Sequence, residues 1–134
     1  MVISTRGRYA LRVMVDLAEQ NREMFIPLRD ISERQGISLK YLESIMTTLS
    51  KAGLVEGIRG KSGGYRLNRP PKDYKIKEIL ELTEVTLAPV ACLECNAPQC
   101  PRKDNCRTLP FWRGLNDTIN SYLESKTIAD LVKK

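Results

Sequence analysis

The chain has 134 residues, 42 % of them apolar, a formal net charge of +6 and no histidine, which bounds it to one compact unit with a core and argues against disorder. No apolar run approaches a membrane span and residues 1–8 lack a signal-peptide core, so a cytoplasmic protein with no membrane partner is expected. Without histidine the commonest general base is missing, so neither an enzyme nor a small-molecule substrate is expected.

The excess charge is uneven. Residues 1–72 hold 13 Lys+Arg against 7 Asp+Glu, whereas residues 73–134 hold 9 of each. That asymmetry is the footprint of a phosphate-binding surface, or of a merely basic domain. Residues Thr5 to Gln20 predict an amphipathic helix, with Ala10, Val13, Met14, Leu17 and Ala18 inward and Arg8, Arg12, Asp16 and Glu19 facing away. Arg6, Arg8 and Arg12 are candidates for DNA phosphates; as single residues they read equally well as solvated helix charges.

Leu28 to Gln35 predicts a short helix closed by Gly36, and Ser38 an N-cap for a helix from Leu39 to about Lys51. Two helices around a tight turn form a helix-turn-helix. Leu39, Leu42, Ile45, Met46 and Leu49 make the inward face of the second helix. A recognition helix reads bases mainly from its N-terminal turns, which makes Ser38, Lys40, Tyr41, Glu43 and Ser44 the candidate contacts. Leu54 to Ile58 and Tyr65 to Leu67 then predict a hairpin, its glycine-rich tip carrying Arg59 and Lys61. Such a wing lets the backbone approach phosphates and places an arginine beside a narrow minor groove. Lys51 to Lys72 contains six cations and one acid, and the whole predicts a double-stranded DNA partner.

Asp73 to Glu84 predicts another helix with Ile76, Ile79, Leu80 and Leu82 apolar. All four cysteines follow, Cys92, Cys95, Cys100 and Cys106, spaced C-x2-C-x4-C-x5-C in a loop broken by Pro98 and Pro101. A loop that short has no core of its own, and converging thiolates on a metal would hold it. Spacing alone fits zinc and an iron–sulfur cluster equally, and four thiolates suit either [2Fe-2S] or [4Fe-4S]. A thiol-redox enzyme using Cys92 and Cys95 is disfavoured, because no βαβ pattern surrounds the pair. From about Leu109 to Glu124 a helix carries Trp112, Leu115, Ile119 and Tyr122 at heptad spacing, a seam for a twofold partner or for the same chain. A homodimer would match a palindromic operator. Thr127 to Asp130 starts a last short helix through Val132 with a capping-box pattern.

The segments Ser4 to Ala10, Ile31 to Glu43, Arg59 to Tyr65 and Phe111 to Leu115, with the cysteine loop before the last, resemble the Rrf-type winged-helix regulators, the IscR-like iron–sulfur cluster regulators among them. The resemblance covers essentially the whole chain. It implies a mainly α fold with a small β-hairpin wing: a winged helix-turn-helix over residues 1–72, then a linker helix, cluster loop (92–106) and long dimerisation helix over 73–134. It implies a homodimeric transcription regulator set by an iron–sulfur cluster, [2Fe-2S] by preference, that controls cluster-assembly genes. A nitric-oxide or redox-sensing repressor of the same family, and a zinc-stabilised DNA-binding module without sensing, are the alternatives. By the same resemblance Ser38, Lys40, Tyr41 and Glu43 fall in the recognition helix and Arg59 at the minor-groove position. The cysteine loop departs from the family's C-x5-C-x5-C followed by a histidine. Cys100 and Cys106 keep one interval, Glu94 stands at the first cysteine position between Cys92 and Cys95, and Leu109 at the histidine. Either all four cysteines ligate, or a carboxylate such as Glu43 completes the set.

Overall fold

A computed structural model describes residues 1–94 and 97–133, so Cys95 lies outside the described residues. Helix α1 (Thr5–Ala18) starts at Ser4, whose hydroxyl accepts from the Gly7 amide at 3.0 Å. Its apolar residues Ala10, Val13, Met14 and Leu17 are at most 2 % exposed. Asp16, which the helical pattern placed facing away, is also buried. It accepts from Arg34 Nε at 3.0 Å, Arg34 Nη2 at 2.7 Å and Gln35 Nε2 at 2.8 Å. A buried carboxylate is tolerable because these donors replace its water, and they tie α1 to α2 (Leu28–Gln35).

Gly36 closes α2 in the left-handed conformation (φ 65°), where a side chain would be strained. Ser38 then caps α3 (Leu39–Lys51) by accepting from the Tyr41 amide at 3.2 Å. Leu42, Ile45, Met46 and Leu49 point into the core as expected, but Leu39 is 45 % exposed. It opens the helix a turn before the packed stripe begins. Strands β1 (Val55–Ile58) and β2 (Gly64–Leu67) pair antiparallel from Val55↔Leu67 to Ile58↔Gly64. Ile26 adds a bridge to Tyr65 on the far side of β2, its amide donating to the Tyr65 carbonyl at 2.8 Å and its carbonyl accepting at 2.9 Å. Gly64 is required there, since a Cβ would fall 2.2 Å from the Ile26 carbonyl oxygen.

The helix expected from Asp73 begins later. A single 3-10 turn spans Pro71–Asp73, Tyr74 is extended, and α4 covers Ile76–Thr83. The delay has a cause: the Tyr74 ring is fully buried beneath the hairpin. Its hydroxyl donates to the Leu54 carbonyl at 2.8 Å and accepts from the amides of Asn68 at 3.0 Å and Arg69 at 3.1 Å. Leu82, assigned to the apolar face, is 38 % exposed. Helix α5 (Leu109–Ser125) leads back to α6 (Ile128–Leu131), which packs against α1 and the Pro71–Asp73 turn and whose Ile128 is fully buried. The Thr127–Asp130 capping box forms as expected. One hydrophobic core thus draws on both halves of the chain, including Leu67, Tyr74, Ile79, Leu80 and Ile128.

The end of α4 is latched to the start of α1. Glu84 accepts from the Ser4 amide and from the Ser4 hydroxyl, both at 2.6 Å, and from Thr83 Oγ1 at 2.9 Å. Burial pushes the Glu84 carboxyl up, but these donors outweigh it and hold the group below its ordinary range. A depressed folded-state pKa means stabilisation above the unfolded value that is lost as pH falls through the folded one. Glu84→Gln should therefore lower unfolding free energy in urea by about 2 kcal/mol at neutral pH, the scale of charge-assisted hydrogen bonds. The gap between variant and wild type should narrow as pH falls below the ordinary glutamate value of about 4.3 and vanish once the folded carboxyl is protonated.

Candidate nucleic-acid interface and cysteine cavity

The N-terminal half of α3 is solvent-facing: Ser38, Lys40, Tyr41, Glu43 and Ser44 are all exposed. Besides Ser38, whose hydroxyl caps the helix, two of these side chains are already engaged. Tyr41 meets the Tyr9 ring edge-on at 5.6 Å, and the Ser44 hydroxyl accepts from Arg6 Nη1 at 2.8 Å. Arg6 Nη2 also donates to Thr48 Oγ1 at 2.6 Å and the Ser44 carbonyl at 3.2 Å. Arg12 donates through Nε to Gln35 Oε1 at 3.1 Å and through Nη2 to the Gln35 carbonyl, and its guanidinium lies 5.2 Å over the Tyr9 ring. Of the arginines read as phosphate candidates, Arg6 and Arg12 are turned onto the helix-turn-helix unit. Arg8 stays exposed, bonded only to Thr5 on its own helix at 3.0 Å.

At the wing, Arg66 pairs with Glu56 across the strands at 2.9 Å and lies 4.2 Å over the Phe25 ring. Arg69 pairs with Glu78 at 3.2 Å. The pairing leaves Lys51, Arg59, Lys61 and Lys72 exposed, with no ion pair among the described residues. The tip and flanks of the hairpin thus present these four cations to solvent. A cleft of about 450 Å³ separates the tip from the start of α2, lined by Leu28, Arg29, Ile58, Gly60 and Lys61.

The loop after α4 approaches the foot of α5. Cys92, Cys100 and Cys106 line one cavity of about 340 Å³ together with Leu93, Lys103, Leu109 and Arg113. Cys92 and Cys100 are exposed and Cys106 half-buried. Hydrogen bonding to the Thr108 side chain (3.4 Å) and backbone holds the Cys106 thiol below its ordinary range. Leu109, where the resemblance has a histidine, faces this cavity and offers no donor. Glu94 lines a different cavity, with Asn116 and Asn120 of α5, and Glu43 is not among the residues around the thiols. Among the described residues no three ligating side chains converge closely enough to hold an ion. The donor chemistry nevertheless fits a thiolate-held centre: three soft ligands share one partly apolar cavity with two cations beside them.

The Rrf2 family, described as iron-dependent transcriptional regulators, matches residues 3–134. The HTH-type transcriptional regulator IscR of Xenorhabdus nematophila is 39 % identical over 99 % of this chain and 80 % of its own length. That of Vibrio atlanticus is 38 % identical over 99 % and 76 %. Among solved structures, IscR of T. potens superposes with a TM-score of 0.75 at 35 % identity, covering 98 % of this chain and 85 % of its own. CymR, the global cysteine regulator of B. subtilis, gives 0.78 at 34 %, covering 98 % and 95 %. These relatives are regulators and not enzymes, in keeping with a winged helix that presents its recognition helix and a basic wing to solvent. The chain belongs to the Rrf2 family of transcriptional regulators.

Proposed function

We propose that this is a homodimeric regulator whose hold on a palindromic DNA site is set by an iron–sulfur cluster at the 92–106 loop. The observation that carries this is the single cavity shared by Cys92, Cys100 and Cys106 at the start of α5. Residues 1–72 supply the DNA face and residues 73–134 the cluster loop and dimer helix. Ser38, Lys40, Tyr41, Glu43 and Ser44 face the major groove. Arg59 enters the minor groove beside the glycine turn, and Lys61 and Arg8 meet phosphates.

Cys92, Cys100 and Cys106 are the ligands supported by the cavity, and Cys95 is the fourth by sequence. When bound, a cluster supplies charge and redox reactivity at this point. The [2Fe-2S] form is favoured by the resemblance to IscR, as is control of cluster-assembly genes. Thiolate ligation of an iron–sulfur centre also fits a cytoplasmic protein. Protein isolated without air should show visible absorption with equimolar iron and sulfide. A colourless protein carrying zinc would leave the DNA face standing and remove the sensor.

Dimerisation is supported by α5. Among the described residues none of its side chains is buried; Phe111 is 65 %, Leu115 38 % and Tyr122 62 % exposed. Burying such a side chain is worth about 1.5–3 kcal/mol, so an uncovered row of them strongly favours a partner helix. Leu115→Glu should shift sedimentation velocity from dimer to monomer while leaving the helical circular-dichroism spectrum intact. A dimer unchanged by that substitution would place the interface elsewhere.

Arg59→Ala should weaken specific binding. It should also flatten the dependence of log affinity on log salt by about 0.9, the contribution of one neutralised phosphate. A salt titration by fluorescence anisotropy reads both.

A further inference from the structure

The structure assigns to Arg6 a role in DNA recognition that is not contact with DNA. We propose that it is a positioning residue: its guanidinium fixes the orientation of the recognition helix by gripping Ser44 and Thr48 from α1.

Ser44 and Thr48 are four residues apart, so their hydroxyls stand one above the other on a single face of α3. Arg6 spans them with two nitrogens, Nη1 to Ser44 Oγ at 2.8 Å and Nη2 to Thr48 Oγ1 at 2.6 Å. Thr48 Oγ1 lies 3.3 Å from the Ser44 carbonyl, to which it donates, so its lone pair remains available to Arg6. A planar fork that satisfies two acceptors one turn apart resists rotation of α3 about its own axis. A point charge would not.

Arg6 does not act by itself. Tyr9 and Arg12 follow it at intervals of three on α1, and all of them face the helix-turn-helix. Tyr9 holds the Tyr41 ring and Arg12 the end of α2 at Gln35. At the N-terminal end of the recognition helix Tyr41 is held by Tyr9, while Lys40 and Glu43 stay exposed toward the groove. Base readout depends on side chains placed to within about 0.5 Å. A brace of this kind therefore belongs to specificity more than to affinity in general.

The distinction from a phosphate contact is measurable. The probes are a duplex that the wild-type protein selects from a random pool, and a scrambled duplex of equal length, each titrated over a range of salt. Arg6→Lys keeps the charge and loses the fork. The proposal expects it to lose on the order of tenfold in affinity for the selected duplex, the effect of one lost charge-assisted hydrogen bond. Affinity for the scrambled duplex, and both salt slopes, should stay at wild-type values. Thr48→Val keeps the β-branched shape, removes the acceptor and should reproduce that pattern, reading the same contact from the other end should Arg6→Lys fold poorly.

Two results would overturn the proposal. If Arg6→Lys binds both duplexes like wild type while Arg6→Gln weakens both and flattens the slope by about 0.9, Arg6 is a phosphate contact. If Thr48→Val and Arg6→Lys each leave the ratio of selected to scrambled affinity unchanged, the grip has no part in recognition.

Discussion

Everything in this molecule is hung on α1. Its inner face, Ala10, Val13, Met14 and Leu17, is closed off from water, and it packs against α2, α4, α6 and β2. A helix buried on more than one side cannot tilt without opening the core. Each methylene returned to water would cost about 0.8 kcal/mol. The recognition helix and the segment leading to the cysteines are both fastened to this one rigid element. On one side Arg6 and Arg12 reach α3 and the end of α2; on the other, Glu84 is bonded to Ser4 at the helix start. The helix-turn-helix and the end of α4 are therefore tied to one helix by packed and charge-assisted contacts.

The other end of the molecule is built on the opposite principle. The cysteine loop has two single-turn 3-10 segments, Ala91–Leu93 and Lys103–Asn105, and none of its described residues belongs to the buried core. Helix α5 rises from it with Phe111, Leu115 and Tyr122 exposed, although Leu123 is half-buried against the core. Both features suit the proposed function, in which a thiolate-bound centre would close the loop by cross-linking it and a second copy of α5 would cover the seam. Coupling the two is physically economical, since Leu109 and Arg113 line the cysteine cavity and open the same helix that carries Leu115 and Tyr122.

Much of this was legible in the sequence wherever the governing chemistry is local. Ser38 and Gly36 bound their helices because capping and the left-handed turn involve residues at most a few positions apart, and the hairpin follows from its glycines. Long-range partners were invisible. Asp16 looked solvent-facing because the donor that permits its burial, Arg34, is 18 residues away. Arg6 reads as a phosphate candidate or a solvated helix charge alike, because Ser44, which it holds, lies 38 residues on. Tyr74 delays α4 through a bond to Leu54, 20 residues back, which no helical periodicity could reveal. The spacing of Arg6, Tyr9 and Arg12 was the available signal for the brace, a polar row beside the apolar stripe. For the cysteines, spacing showed a cluster of ligands and the fold adds which of them share a cavity. On the proposed function, their final approach would depend on the bound group.

In the proposed function the state of the cysteine loop changes the grip of the recognition helices. This coupling is tested most directly by titrating one selected duplex with the same protein in two forms, loaded with iron and sulfide and stripped of both. A ligand that alters affinity must bind the two conformations unequally. The two affinities should differ by about fivefold or more, the lower end of ordinary allosteric coupling. Equal affinities for the two forms, with loading confirmed on the same samples, would contradict it and leave a DNA-binding protein whose metal site serves only its structure.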